Sequence, residues 1–405
     1  MNCWWVNHYA CPSDEPGGTR HHAMARGLGQ RGIDVTLIAS SFHYTKLQER
    51  LDPGEQVRVE TRDGVRYAWL RTRAYSEHPL ARLRNMRSFA KHLSSASESL
   101  PVPRPDVIIG SSPHLYAADA ARRVAQRFGI PFCSEIRDIW PESLVDIGGA
   151  SRLNPVIMHM GRIERRLYRA SSKIFTLLPG SEKHICSRGG NVDSVQWIPN
   201  GIDPSLVPPA SAPPQDSPFT LVYAGAHGIA NDLDTLLDAG RMLQEDSGSG
   251  ACRIVLIGDG PRKKHLQDRA RAESIDLVEF RDPVAKRDIY PILQSANACL
   301  LPLKPGGVFR HGISPNKMFD YMAAGRPVIT MVDTPVNPVV DAGAGVSIPS
   351  GDPAALASAI RDMAGLPEED RVAMGDRGRA MVMDQFNLDE LAERVAGALR
   401  GVVES

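Results

Sequence analysis

Short apolar runs alternate with helix-length segments along nearly the whole chain, and glycines mark the joints between them. Residues 2–6 are apolar and end in the loop Pro12-Ser13-Asp14-Glu15-Pro16-Gly17-Gly18. A helical pattern over 19–31 follows, Gly32 closes it, and 33–38 resumes as strand. Residues 107–109, a helix over 114–128, Gly129 and a strand over 130–133 repeat the unit. Continuous apolar runs suit strands covered on both faces, as in a parallel sheet. The rhythm restarts at 219–223. It continues through strands at 253–257, 277–280, 298–301 and 328–331, with helices at 232–243, 261–272 and 315–324 and beyond about residue 353.

Between the two series, residues 204–218 hold six prolines, which reads as a stiff linker. A chain of 405 residues has room for two domains of roughly 100–200 residues each. The expectation is an α/β fold: two Rossmann-like doubly wound domains facing across a cleft, residues 1–203 and 219–386, joined by the linker 204–218. In such sheets ligands bind at the carboxyl ends of the strands.

Lys plus Arg equals Asp plus Glu, 47 each. A neutral chain lacks the positive field of a dedicated nucleic-acid binder, so no nucleic-acid partner is expected. The cysteines at 3, 11, 133, 186, 252 and 299 lack metal-ligand or redox-motif spacing and read as reduced core residues of a cytoplasmic protein. Residues 1–6 lack a basic export region, and no run of 18 apolar residues spans a membrane.

The most informative motif is Gly312-Ile313-Ser314-Pro315-Asn316-Lys317-Met318-Phe319-Asp320-Tyr321-Met322-Ala323-Ala324-Gly325. Ser314 suits an N-cap, Pro315 the first helical position, and Gly325 the stop. Such a helix start attracts anions, and Lys317 adds a full charge in the first turn. Asp320, three residues on, shares a face with Lys317. A cation for phosphate and a carboxylate for vicinal hydroxyls fit a ribose diphosphate. A capped surface helix with an i,i+3 ion pair is the plainer alternative. Gly225, His227, Gly228 and Asn231 follow a strand and resemble a phosphate loop, or a turn that needs glycine for geometry. Gly258 and Gly260 lack the third glycine of a dinucleotide fingerprint, since Lys263 stands there, so no NAD is inferred.

In the first half, Gly17, Gly18, Thr19 and Arg20 open a helix at the mouth of the first strand and could cradle an anion or a sugar. Glu135, Arg137 and Asp138 crowd the end of a buried strand beside Trp140. Charges there are either paired or face a site. Asn200 lies in a turn before the linker. Residues 66–91 carry seven basic side chains and one acid. Leu80, Leu83, Met86, Phe89 and Leu93 recur at helical spacing between Arg82, Arg84, Arg87 and Lys91. This basic amphipathic helix, residues 80–93, suits contact with an anionic membrane, or packing on its own domain with solvated arginines.

Together these segments resemble family 4 glycosyltransferases of the GT-B fold, and within them bacterial O-antigen and capsule L-fucosamine-type transferases. The likeness rests on 13–20, 135–143, 198–203 and 315–325 and covers nearly the full length. It implies a UDP-sugar donor, an N-acetylated deoxyhexosamine, held by the second domain. It also implies a lipid-linked saccharide acceptor held by the first, retention of configuration, and no cofactor or metal. The helix in 387–405 would cross back to the first domain, and the enzyme would sit in the cytoplasm at the inner membrane face. Carried onto this chain, Glu135, Arg137, Asp138 and Lys317 are the expected catalytic residues. Gly225, His227, Gly228, Asn231, Gly258, Arg281, Lys304, Ser314, Asn316, Lys317, Met318 and Asp320 are the expected donor contacts. Gly17, Gly18, Thr19, Arg20 and Asn200 are the expected acceptor contacts.

Two departures stand out. Of the family's Glu-x7-Glu pair, the second is matched by Asp320 and the first by Gly312, and the loop 225–231 has no Arg or Lys. A nucleotide-sugar epimerase of the same architecture is one alternative. A non-catalytic sugar-nucleotide-binding subunit of a polysaccharide assembly complex is another.

Overall fold

The apolar runs become strands of two parallel sheets. The computed structural model describes residues 1–15, 20–75, 79–112, 114–212, 218–247 and 252–404. The chain divides into two units, Met1–Pro199 with Leu388–Ser405, and Asn200–Asn387.

The first unit contains β1 (Asn2–Val6), β2 (Asp34–Ser40), the short arms β3 (Phe42–His43) and β4 (Gln48–Glu49), β5 (Val57–Arg62), β6 (Val65–Leu70), β7 (Val107–Ser111), β8 (Phe132–Ile136), β9 (Lys173–Thr176) and β10 (Val195–Trp197). Its helices are α1 (Arg20–Gln30), α2 (Pro79–Ala96), α3 (Leu115–Phe128), α4 (Glu142–Asp146), α5 (Pro155–Ala170) and α6 (Glu182–Ser187). The main sheet has the order β10-β9-β8-β7-β1-β2-β6-β5, parallel except for β5. The β5–β6 hairpin turns on Asp63 and Gly64, both at positive φ. Asp-Gly between strands is a strong hairpin signal, and it stood in the sequence unused.

The second unit contains β11 (Phe219–Ala224), α7 (Leu233–Ser247), β12 (Cys252–Ile257), α8 (Lys263–Ala272), β13 (Val278–Arg281), α9 (Ile289–Gln294), β14 (Ala298–Pro302), α10 (Asn316–Ala323), β15 (Val328–Met331), α11 (Pro338–Asp341), β16 (Gly345–Ile348), α12 (Pro353–Gly365) and α13 (Glu368–Gln385). Its sheet is wholly parallel in the order β13-β12-β11-β14-β15-β16. The order reverses between β11 and β14, so the crevice beyond their carboxyl ends is the expected ligand position. In the first unit the corresponding switch lies between β1 and β7. The last helix, α14 (Leu388–Glu404), belongs to the first unit. It packs on α1, where Gly27 leaves room for Ala392, and Arg31 pairs with Glu393 at 2.6 Å.

Two expectations change here. The chain divides at Pro199, not within 204–218. Pro208, Pro209 and Ser211 of that stretch are bonded to the rest of the second unit: Arg379 donates to the Pro208 carbonyl (2.7 Å), Gln294 to Pro209 (2.8 Å) and Arg326 to Ser211 (2.9 Å). Proline carbonyls remain acceptors, so a proline-rich segment can dock as readily as it can span. Most of the apolar stripe of α2 is also covered, although Leu80 at its start is 57% exposed. Met86, Phe89 and Leu93 are buried in one core layer with α3 and α5, and Leu83 packs against it.

Candidate active site

In the second unit, Tyr321 fixes α10 against the end of β11: its hydroxyl accepts from the Ala224 N–H (2.8 Å) and donates to the Ala224 carbonyl (3.0 Å). One turn earlier on α10, Lys317 reaches the same strand end. Its Nζ donates to the Tyr223 hydroxyl (3.0 Å) and to Asn231 Oδ1 (2.5 Å), and it lies 4.4 Å from the Tyr223 ring centroid. All its bonded partners are neutral. Burial without a carboxylate alongside pushes the ammonium down to about 7.

The glycine loops fit closely around this cation. A Cβ on Gly225 would lie 3.3 Å from Lys317 Nζ, and one on Gly258 would lie 2.0 Å from the Gly225 carbonyl oxygen. The loops after β11 and β12 therefore touch backbone to backbone, which only glycine permits at 258. His227 is 0% exposed, and neither ring nitrogen has a partner among the described residues. Burial and Lys263 push it down to about 4, so it is neutral near pH 7. The Lys304 N–H bonds to the Ala230 carbonyl (3.0 Å), joining the loops on either side of the switch. A cation, a helix N-terminus and glycine-lined backbone at one crevice make an anion site.

The charged cluster of the first unit is arranged differently. Glu135 ends β8 at 0% exposure. It accepts from Arg20 Nε (3.2 Å) and Ser111 Oγ and lies 2.6 Å from His21 Nε2. Burial alone would raise its carboxyl, but His21 and Arg20 outweigh it and hold the group well below the usual range. Arg20 also donates to the carbonyls of Pro199 and Ile198, the latter at 3.0 Å. At the β1/β7 switch, His8 and His114 stack with centroids 4.7 Å apart, both buried. His114 Nδ1 accepts from the Ala117 N–H (3.0 Å) and caps α3, so its proton sits on Nε2, which has no partner among the described residues.

Cys11, Glu15 and His43 bring possible metal ligands within 4.8 Å of one another, but they do not fit an ion. The Thr45 and Lys46 N–H groups donate to His43 Nδ1, which leaves the proton on Nε2, 3.0 Å from Glu15. Both Glu15 oxygens are taken by Arg50, and burial pushes the Cys11 thiol up to about 11. Metal binding needs a thiolate and an imidazole lone pair.

The sequence matches the family described as glycosyl transferases group 1 over residues 218–365 and the glycosyl transferase 4-like domain over 17–201. The chain belongs to the family 4-like glycosyltransferases of the GT-B fold. WcaI of Escherichia coli (strain K12), described as a colanic acid biosynthesis glycosyl transferase, is 22% identical over 375 residues, 86% of this chain and 89% of its own. Sucrose-phosphate synthase from Thermosynechococcus elongatus superposes with a TM-score of 0.77 at 16% identity, covering 100% and 99% of the two chains. Anabaena HepE, solved in complex with UDP-glucose, gives 0.69 at 14% identity, covering 99% and 100%.

Of the glycosyltransferase residues singled out above, the structure gathers Gly225, His227, Gly228, Asn231, Gly258 and Lys317 at one strand end, with Lys304 beside them. Others lie elsewhere. Arg281 is paired with Glu279 on its own strand at 2.6 Å. The Met318 side chain is fully buried in the core. Asp320 does not pair with Lys317. It takes Lys286 (2.5 Å) and the Tyr290 hydroxyl (3.0 Å) from the α9 side. Ser314 does not cap α10, which begins at the exposed Asn316. Its hydroxyl accepts from the Asn200 N–H (2.8 Å), while Asn200 Nδ2 donates to its carbonyl (2.5 Å), so Asn200 braces the segment that leads into α10.

In the first unit, Glu135 and Arg20 are enclosed by their partners and lack the exposure that contact with a substrate requires, since a buried carboxylate must be neutralised in place. Arg137 is half-buried and Asp138 exposed, so these two remain open at the end of β8. Gly17, Gly18 and Thr19 lie outside the described residues. The sequence reading missed Tyr223 and Tyr321, which are ordinary core residues by pattern, and His8 and His114, which only sheet order brings together. Gly312, in place of the family's first glutamate, sits at φ 92° and ψ 177°, a region essentially restricted to glycine.

Proposed function

We propose that the protein is a retaining, metal-independent glycosyltransferase of surface polysaccharide biosynthesis, of the O-antigen or capsule kind. It would move a sugar, an N-acetylated deoxyhexosamine, from UDP to a lipid-linked saccharide at the inner face of the cytoplasmic membrane. The observation that carries the reading is Lys317, an ammonium at the carboxyl end of β11 held by neutral partners only. The UDP-glucose complex of HepE and the colanic acid description of WcaI support the donor and the pathway class.

As the bond from the anomeric carbon to the diphosphate oxygen breaks, negative charge grows on that oxygen. Lys317 and the α10 N-terminus are preorganised to stabilise it. In same-face transfer the acceptor hydroxyl forms the new bond and passes its proton to the departing phosphate. Arg137 and Asp138 orient the acceptor, and Glu135 holds Arg20 and the end of β8 in place.

The test is a panel of UDP- and GDP-sugars scored first by thermal shift and then by transfer to polyprenyl-diphosphate-linked acceptors. Transfer from a UDP-sugar with retained configuration, insensitive to chelator, is expected. A changed sugar nucleotide formed without acceptor would point instead to an epimerase. Absence of UDP binding by calorimetry at high concentration would point to a non-catalytic subunit.

A further inference from the structure

We infer that Lys317 is a site of covalent modification, acylated by acyl phosphates that enter through the anion site around it. Only the consequence, a loss of donor binding, rests on the transferase reading above. The reaction itself needs no more than the placement of the amine.

One carbonyl orients the groups around Nζ. The Ala226 oxygen accepts from the Tyr223 hydroxyl (2.7 Å) and from Asn231 Nδ2 (2.8 Å). With those donors spent, the Tyr223 oxygen and Asn231 Oδ1 are left to face Lys317 as acceptors. The lysine nitrogen is tetrahedral. One of its bonds goes to the side chain, and two N–H groups go to these acceptors. The fourth position has no partner among the described residues. In the ammonium it is a third N–H. In the free amine it is the lone pair, already aimed by the two bonds that remain.

No anion nearby holds the charge in place. Burial keeps the Tyr223 hydroxyl protonated, so it supplies no phenolate. Lys263, Lys264 and Lys286 of the same unit pair with Asp282 (2.8 Å), Asp268 (2.7 Å) and Asp320 (2.5 Å). Lys317 lacks such a partner, and its ammonium falls to about 7. A desolvated lysine of this kind is a nucleophile at neutral pH. It is half-buried, beside the exposed Asn316. No side chain caps α10, which leaves its first N–H groups to an anion. A phosphate held there brings an attached acyl group up to the amine. The Nζ lone pair then attacks the carbonyl carbon, and the bond from that carbon to the phosphate oxygen breaks. The proton lost from nitrogen leaves with the phosphate. The products are inorganic phosphate and a neutral amide at Lys317, which has no charge left for a diphosphate.

The test incubates the full-length protein with acetyl phosphate near neutral pH and maps acetylated peptides by mass spectrometry over time. Lys317 should react about tenfold faster than the exposed Lys183. Asn231→Asp puts a carboxylate beside the amine and should slow Lys317 about tenfold, with Lys183 unchanged. Neutral acetylimidazole, which offers no phosphate, should show a smaller preference for Lys317. UDP should protect Lys317, and sugar transfer should fall in step with its acetylation. A preferred Lys317 that UDP does not protect sustains the modification site and counts against the donor reading, so the two failures are distinguishable. Acetylation no faster at Lys317 than at Lys183, or indifferent to Asn231→Asp, overturns the proposal. So does an equal preference with acetylimidazole, since the anion site then plays no part.

Discussion

The strand ends of the two units solve opposite electrostatic problems. At the end of β8, Glu135 is fully enclosed and every polar contact it needs is supplied from inside, by Arg20, His21 and Ser111. At the end of β11, Lys317 is left with a tyrosine, an asparagine and no carboxylate. Both are charged residues at the carboxyl end of a parallel sheet, and in sequence both looked like site residues. Charge at a strand end is available to a ligand only where the protein leaves it uncompensated.

Substitutions should separate the two. Removing one partner of a buried, bonded ion pair strands the other, which costs about 3–5 kcal/mol. Glu135→Ala should therefore lower the urea midpoint sharply, and unchanged stability would break the contrast. Lys317→Met should do the reverse. It removes a cation that folding places among neutral groups, so stability should hold or rise, while kcat should fall by about 10²–10³. A variant that loses only apparent affinity would reduce Lys317 to ground-state binding.

Gly312→Glu, which restores the family's missing residue, should not gain activity. It should destabilise by about 1–3 kcal/mol through its backbone conformation, measured by chemical denaturation. A gain in turnover would show that the loop can rearrange.

A pH dependence sharpens the same contrast. Unfolded, Lys317 has its ordinary value of 10.5; folded, about 7. Between these values the unfolded chain holds the extra proton, so this group makes stability rise with pH from about 7 to 10.5, and Lys317→Met should flatten that slope. A diphosphate favours the charged ammonium, so UDP binding at pH 8 should take up protons. Calorimetry in buffers of different ionisation enthalpy reads this directly, and no proton uptake would mean that Lys317 is not at the diphosphate.

Much of this was legible in advance because it depends on local pattern. The strand at 328–331 and the helix before it follow from an apolar run, a proline start and a glycine stop. The pairing of Lys317 was not. An i,i+3 acid on the same helix suggested Asp320, yet Lys286 and Tyr290 from a neighbouring element took that carboxylate. Asn200 looked like an acceptor residue and proved to brace Ser314, 114 residues away. The α2 pattern named its apolar residues correctly without saying what covered them.

Periodicity, glycine placement and strand-end charge are written into neighbouring residues, because backbone sterics and side-chain direction act over a few positions. They determined two doubly wound sheets and the place of Lys317 and the glycine loops at a strand end. Which charges are neutralised, which imidazoles stack and which leucines stay in water depends on groups far apart in the chain. Strand order brings those groups together, and burial sets the strength of what they feel, so the tertiary structure alone decided them.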